Sequence, residues 1–196
     1  MNARADKFPP ATRSPQNIFL VGLMGAGKTS VGKMLSKRLN KTFYDSDQEI
    51  ERATGVKIPV IFEIEGEQGF RARESRMLAE LVCGDNIVLA TGGGIILSEQ
   101  NRRLLAAHGT VIYLRATAND LWRRTRHDKN RPLLQTGDPL EKLQELLAQR
   151  DPLYREVADI IIDTGNQSLG SLTSRIEQQL AQMKAGLPVQ PNSGTN

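Results

Sequence analysis

The sequence predicts a three-layer α/β/α fold around a five-stranded parallel sheet, and three observations carry that expectation. Five short apolar runs are spread along the chain: "NIFLV" (17–21), "TFYDSD" (42–47), "NIVLAT" (86–91), "TVIYL" (110–114) and "ADIIID" (158–163). Their length and near-continuous apolarity suit strands buried on both faces. Longer stretches with apolar residues at helical spacing separate them. Strands alternating with helices imply right-handed crossovers that cover a parallel sheet on both sides.

Taken in order, the first run is followed at once by glycines. From Lys28 to Leu39, residues Val31, Met34, Leu35 and Leu39 then mark one helical face. "TFYDSD" is the second strand. Helical segments are expected over 47–53 and 59–83, broken near "TGVKIP" and "EGEQG" by Gly and Pro. After the third strand come "GGG" and a helix over about 98–107, and after the fourth a helix over about 117–126. Residues 127–138, "HDKNRPLLQTGD", are polar, basic and rich in turn formers, so a loop is expected. A helix over about 139–149 gives way to "DPLY" before the fifth strand, and 168–183 form the last helix.

The 196 residues suit about one domain with a self-sufficient core. It is placed at 17–184, between a Pro-rich polar leader (1–16) and a tail (185–196), both of disordered composition. A hydrophobic content of 39% and a charged content of 24% are those of an ordinary soluble chain. No apolar run approaches the roughly 18 residues of a membrane span. The leader lacks the apolar segment of a secretory signal, so a cytoplasmic protein is expected. Cys83 is the sole cysteine, which excludes an intrachain disulfide and a Cys-based zinc site; its apolar surroundings, "LAELVCGDN", predict a small buried side chain. Arg4, Lys7 and Arg13 against Asp6 leave +2 in the first 16 residues, half of the total +4. That diffuse surplus is a weak argument for a nucleic-acid partner, and none is expected.

Three polar features follow strands one, two and three, at the carboxyl ends where ligands of such sheets bind. The first is "GLMGAGKT": Gly22, four residues, then Gly27, Lys28 and Thr29. Glycines at these positions let backbone N–H groups turn inward around phosphate oxygens, and the helix N-terminus adds its positive end. Lys28 supplies a cation to the outer phosphates and Thr29 a hydroxyl to Mg²⁺. Such a loop identifies a nucleotide and nothing further.

The second feature, "FYDSD", sets Asp45 and Asp47 beside that polyanion. Two carboxylates are tolerated there if one faces a metal ion and the other an alcohol. Capping of the following helix is the plainer reading, and it is compatible with both roles. The third feature, "TGGG", is by itself no more than a turn. In "GFRARE", Arg71 and Glu74 stand one helical turn apart and share a face. A guanidinium fork there suits a planar carboxylate, although a surface ion pair is the commoner outcome of that spacing.

Together, "GLMGAGKTSVGKMLSKRL", "FYDSDQEIE", "GFRARE", "ATGGG", "RPLL" and "QRDPLYREVAD" occur in the order and approximate spacing of shikimate kinases. The resemblance spans residues 17 to about 183. It implies a P-loop kinase architecture with residues 127–138 as a lid, and a monomer. The implied activity is Mg²⁺-dependent transfer of phosphate from ATP to the 3-hydroxyl of shikimate, a step of aromatic amino acid biosynthesis. Gly25, Ala26, Gly27, Lys28, Thr29 and Ser30 would hold ATP, with Thr29 and, through water, Asp45 serving the metal. Asp47 would contact the acceptor hydroxyl. Arg71, oriented by Glu74, and Arg150 would grip the substrate carboxylate. The N–H of Gly93 would approach a substrate hydroxyl, where a Cβ would obstruct contact.

By the same resemblance Arg131 is the lid arginine on the ATP phosphates, Arg124 lies near the adenine, and Gln167 lies at the base. Lys28, Asp47 and Arg131 are the implied catalytic residues. Phe62 and Phe70 are candidates for the apolar wall of the pocket, or for plain core packing. Thr29 departs from the serine of many members, and either hydroxyl reaches Mg²⁺. The rivals are a relative phosphorylating another hydroxy acid such as gluconate, and a nucleotide-binding regulatory module without turnover.

Overall fold

The computed structural model describes residues 16–186, apart from 129–131, 136 and 166. Strands β1 (Ile18–Val21), β2 (Thr42–Asp45), β3 (Ile87–Ala90), β4 (Thr110–Arg115) and β5 (Ile160–Asp163) form one sheet in the order β2-β3-β1-β4-β5. Every pairing is parallel. Apolarity follows position in that order. The inner strands β1 and β3 are buried at every residue, whereas the edge strands β2 and β5 are only partly covered. Phe19 of β1 stands opposite Leu89 and Val111 of its two neighbours, and all three are fully buried. Each such side chain contributes about 1.5–3 kcal/mol of transfer free energy.

Among the described residues seven α-helices cover the faces: α1 (Lys28–Leu39), α2 (Ser46–Thr54), α3 (Ile58–Leu81), α4 (Glu99–His108), α5 (Ala118–Thr125), α6 (Pro139–Val157) and α7 (Leu169–Lys184). Five of them start on a capping side chain, from Asp45, Ser98, Thr117, Asp138 and Ser168 respectively for α2, α4, α5, α6 and α7. α1 has no side-chain cap and begins on the left-handed Gly27 instead. Its first-turn N–H groups are therefore available to a ligand anion. α3 is broken at Gly66 (φ 67°, ψ −176°), inside the "EGEQG" stretch where an interruption was expected. None of the described helices is long and apolar enough to cross a membrane.

One large core fills both sides of the sheet. A second, small cluster of Ile50, Ile61 and Phe70 joins α2 to α3 beyond the end of β2.

Two expectations fail. α6 does not stop at Gln149 but runs to Val157 through Pro152. Its buried residues Leu143, Leu146, Arg150, Tyr154 and Val157 form one unbroken stripe across the proline. An interior proline costs about 3 kcal/mol. Burial of Tyr154 and Val157 offsets that, at about 1.5–3 kcal/mol each, so tertiary packing overrides the local signal. Cys83 is exposed, not buried. Leu78 and Val82, one turn apart, take the inward positions at the end of α3, and the next residue along points outward.

Candidate active site

The turn between β1 and α1 wraps a cavity of about 360 Å³. Gly27, with φ 93° and ψ 14°, lies in the left-handed region, and a Cβ there would meet nothing within 4 Å. The backbone conformation demands this glycine, not a lack of space. Lys28 Nζ folds back along the loop and donates to the carbonyls of Gly22 (2.6 Å) and Leu23 (3.0 Å). Gly25, Thr29 and Ser30 line the same cavity, while Ala26 is buried beneath it.

The two oxygens of Asp45 do different work. Oδ1 accepts from the N–H groups of Asp47 (3.1 Å) and Gln48 (3.4 Å), capping α2, and Oδ2 accepts from Thr29 Oγ1 at 2.6 Å. Capping and a bond to the Thr29 hydroxyl therefore coexist in one side chain. A hydroxyl and a carboxylate oxygen this close, both on the cavity wall, are hard donors of the kind Mg²⁺ takes. No cluster of three His, Cys, Asp or Glu able to hold a metal exists among the described residues. Mg²⁺ that keeps its waters and binds phosphate needs only one or two protein ligands, so the donor set fits.

Arg124 reaches from α5 across to this loop. Its Nη1 donates to Gly25 O (3.3 Å) and Thr164 Oγ1 (3.1 Å), and its Nη2 to Thr164 O (3.1 Å) and Gly165 O (2.9 Å). It thus ties the phosphate loop to the turn after β5, where Gln167 is exposed.

A second cavity, of about 390 Å³, adjoins the first. Met24, Asp47 and Gly93 line both, so Asp47 stands at the junction. On the far wall Arg71 Nη1 donates to Glu74 Oε2 (2.7 Å), while Nε and Nη2 hold Glu67 Oε1 (3.2 and 2.9 Å). The pair expected from helical spacing is formed. It is not a surface pair, because Glu74 is 1% exposed. Burial pushes the Glu74 carboxyl above its usual range, and the Arg71 guanidinium draws it only partly back.

Arg150 is also buried, and Nη1 donates to Gly93 O at 3.2 Å. Desolvation lowers its pKa, and Arg71 adds to the effect. Glu74 Oε1 and Arg150 Nε have no hydrogen-bond partner among the described residues. Buried polar atoms are almost always paired, so two orphans beside one cavity point to a polar ligand.

Phe62 and Phe70 line the cavity with ring centroids 4.7 Å apart, and Phe70 also belongs to the small core. Wall and core packing are one role here. Within the protein itself the tight glycine positions are the neighbours of Gly93. A Cβ on Gly93 would make only ordinary contacts, the nearest being Met24 N at 3.4 Å. On Gly92 it would lie 2.1 Å from Glu74 Oε1 and 2.8 Å from Asp47 Oδ1, and on Gly94 2.1 Å from Arg71 Nη1. The outer two glycines make room for the charged side chains.

Arg131 lies outside the described residues. Leu133, in the short turn Pro132–Leu134, lines the second cavity. Glu67, Ser46 and Tyr154 were not foreseen. Glu67 stands four residues before Arg71, a helical spacing that was there to be read. Ser46 Oγ accepts from Gly92 N (2.9 Å) across 46 residues, and no local pattern announces it.

The family model for shikimate kinase matches residues 24–181. The chain is 64% identical to a shikimate kinase of Nitrosospira multiformis over 164 residues, 84% of each chain. It is 60% identical to one of Nitrosococcus oceani over 172 residues, 88% of this chain and 90% of that one. A solved shikimate kinase from Acinetobacter baumannii, in complex with shikimate, superposes with a TM-score of 0.85 at 51% identity, over 86% of this chain and 94% of the other. With a family model matched over residues 24–181 and identities of 60–64% to curated relatives, this chain belongs to the shikimate kinase family.

Proposed function

We propose that this chain transfers the γ-phosphoryl group of ATP to the 3-hydroxyl of shikimate, acting as a cytoplasmic monomer. One observation carries the reading: Asp47 stands where the cavity of the β1–α1 loop meets a cavity walled by the half-buried Arg71 and the buried Arg150. A small acid seated on Arg71 and Arg150 would present a hydroxyl to Asp47, which orients it and accepts its proton as attack proceeds. Lys28 and the α1 N-terminus offset charge on the transferring group, and Arg131 is assigned the same task from the lid. Arg124 and Gln167 would flank the base, and the Gly93 N–H would meet a substrate hydroxyl. Thr29 and, through water, Asp45 would hold Mg²⁺, which supplies charge neutralisation at the phosphate oxygens. Leu133, which lines the acceptor cavity, would help to exclude water from it.

The test is ADP release from Mg·ATP with shikimate, gluconate, a nucleoside monophosphate or no acceptor. Turnover with shikimate alone supports the reading. Preference for gluconate would discard the carboxylate grip assigned to Arg71 and Arg150, and nucleotide binding with no turnover would leave a regulatory module.

A further inference from the structure

Tyr154 has no part in the chemistry above, yet it is held as closely as any group of the acceptor cavity. It lies one turn beyond Arg150 on the buried stripe of α6. Its ring is fully buried and stacked on Tyr113, with centroids 4.8 Å apart. Its hydroxyl donates to the carbonyl oxygen of Gly93, the same atom that accepts Arg150 Nη1. Burial drives the phenol pKa up, so the hydroxyl keeps its proton and remains a donor.

The glycine turn is thus pinned on both sides, at the Gly92 N–H by Ser46 and at the Gly93 carbonyl by α6. The peptide is trans, so fixing that carbonyl toward α6 turns the Gly94 N–H the opposite way. Neither Gly93 nor Gly94 donates a backbone hydrogen bond among the described residues, and both line the acceptor cavity. Without the tyrosine hydroxyl, Arg150 would be the remaining donor to a half-buried carbonyl and would be drawn onto it, away from a ligand.

We propose that Tyr154 is a positioning residue for acceptor binding: its hydroxyl sets the Gly93 peptide and leaves Arg150 free to turn to the acceptor. The inference rests on the reading of this cavity as the acceptor site. Tyr154→Phe keeps the ring stack and removes only the hydroxyl. Tyr113→Phe is the matched control, because Tyr113 donates to Asp151 (2.9 Å) from the same stack without touching Gly93.

Steady-state constants and thermal midpoints are measured for both variants, using whichever acceptor the wild-type chain phosphorylates. A failure of the shikimate reading therefore leaves this comparison intact. The expected result is a KM for the acceptor raised about tenfold in Tyr154→Phe, the loss of one buried hydrogen bond, with the KM for ATP within about twofold. Tyr113→Phe is expected to lower the thermal midpoint while leaving both KM values within about twofold. An unchanged acceptor KM in Tyr154→Phe overturns the proposal. So does a parallel rise in both KM values, or an equal rise in Tyr113→Phe.

Discussion

The phosphate cradle and the acceptor cavity share a wall and are built in opposite ways. The cradle is dominated by one contiguous stretch between β1 and α1, shaped by backbone conformation, with Lys28 resting on its own loop carbonyls. The acceptor cavity draws on α2, α3, the glycine turn after β3, the 132–134 turn and α6. Its charged groups are side chains from separate elements, and the contact between Arg150 and Gly93 spans 57 residues. A backbone cradle recognises what all nucleotides share. Buried side-chain charges from separate elements recognise one acceptor, and each depends on the others for its partner.

The comparison is broken most directly at the junction. Asp47→Asn is expected to lower kcat by about 10²- to 10⁴-fold with nucleotide affinity retained, measured by steady-state kinetics beside ATP-analogue binding. An equal loss of nucleotide affinity would mean that the two cavities are not separable. Arg150→Ala is next. The expected rise in KM for the acceptor is about 10- to 100-fold, from the loss of a charge-assisted contact, with the KM for ATP unchanged.

The glycines sharpen the contrast. Gly92→Ala forces Glu74 and Asp47 to move and should raise the acceptor KM about tenfold or more, whereas Gly93→Ala, with ordinary contacts around its Cβ, should change it less. The reverse ranking would place the steric limit on the ligand instead of on the charged side chains.

The smallest effect is a pH slope. Because burial raises the Glu74 pKa above the ordinary 4.5, the native state binds more protons than the unfolded chain in the window between those values. The Glu74 contribution to stability is thus complete below 4.5 and is lost as pH rises through the raised value, with a limit of about 1.4 kcal/mol per pH unit. Glu74→Gln should remove that slope in urea unfolding followed upward from pH 4.5.

Most of the fold was legible because its signals are local. Apolar runs such as "NIVLAT", capping residues such as Asp45 and the glycines of the phosphate loop each act within a few positions of themselves. Where a local signal met a distant one, the reading failed. Pro152 reads as a stop, but the packing of Tyr154 on Tyr113 of β4 and its bond to Gly93 give no sign in "DPLY". Cys83 reads as buried because its neighbours are apolar, yet helix phase assigns the inward place to Val82.

The site divides along the same line. By itself the sequence determined a nucleotide loop, a pair of aspartates at a strand end and an Arg71–Glu74 pair, since each is set by spacing along one element. Only the tertiary structure decided that Glu74 is buried, that Gly92 and Gly94 are the glycines under steric demand, and that Tyr154 and Arg150 meet on one carbonyl. Burial and through-space contact depend on how α3, α6 and the sheet pack together, and that packing is a property of the whole chain, which no short segment encodes.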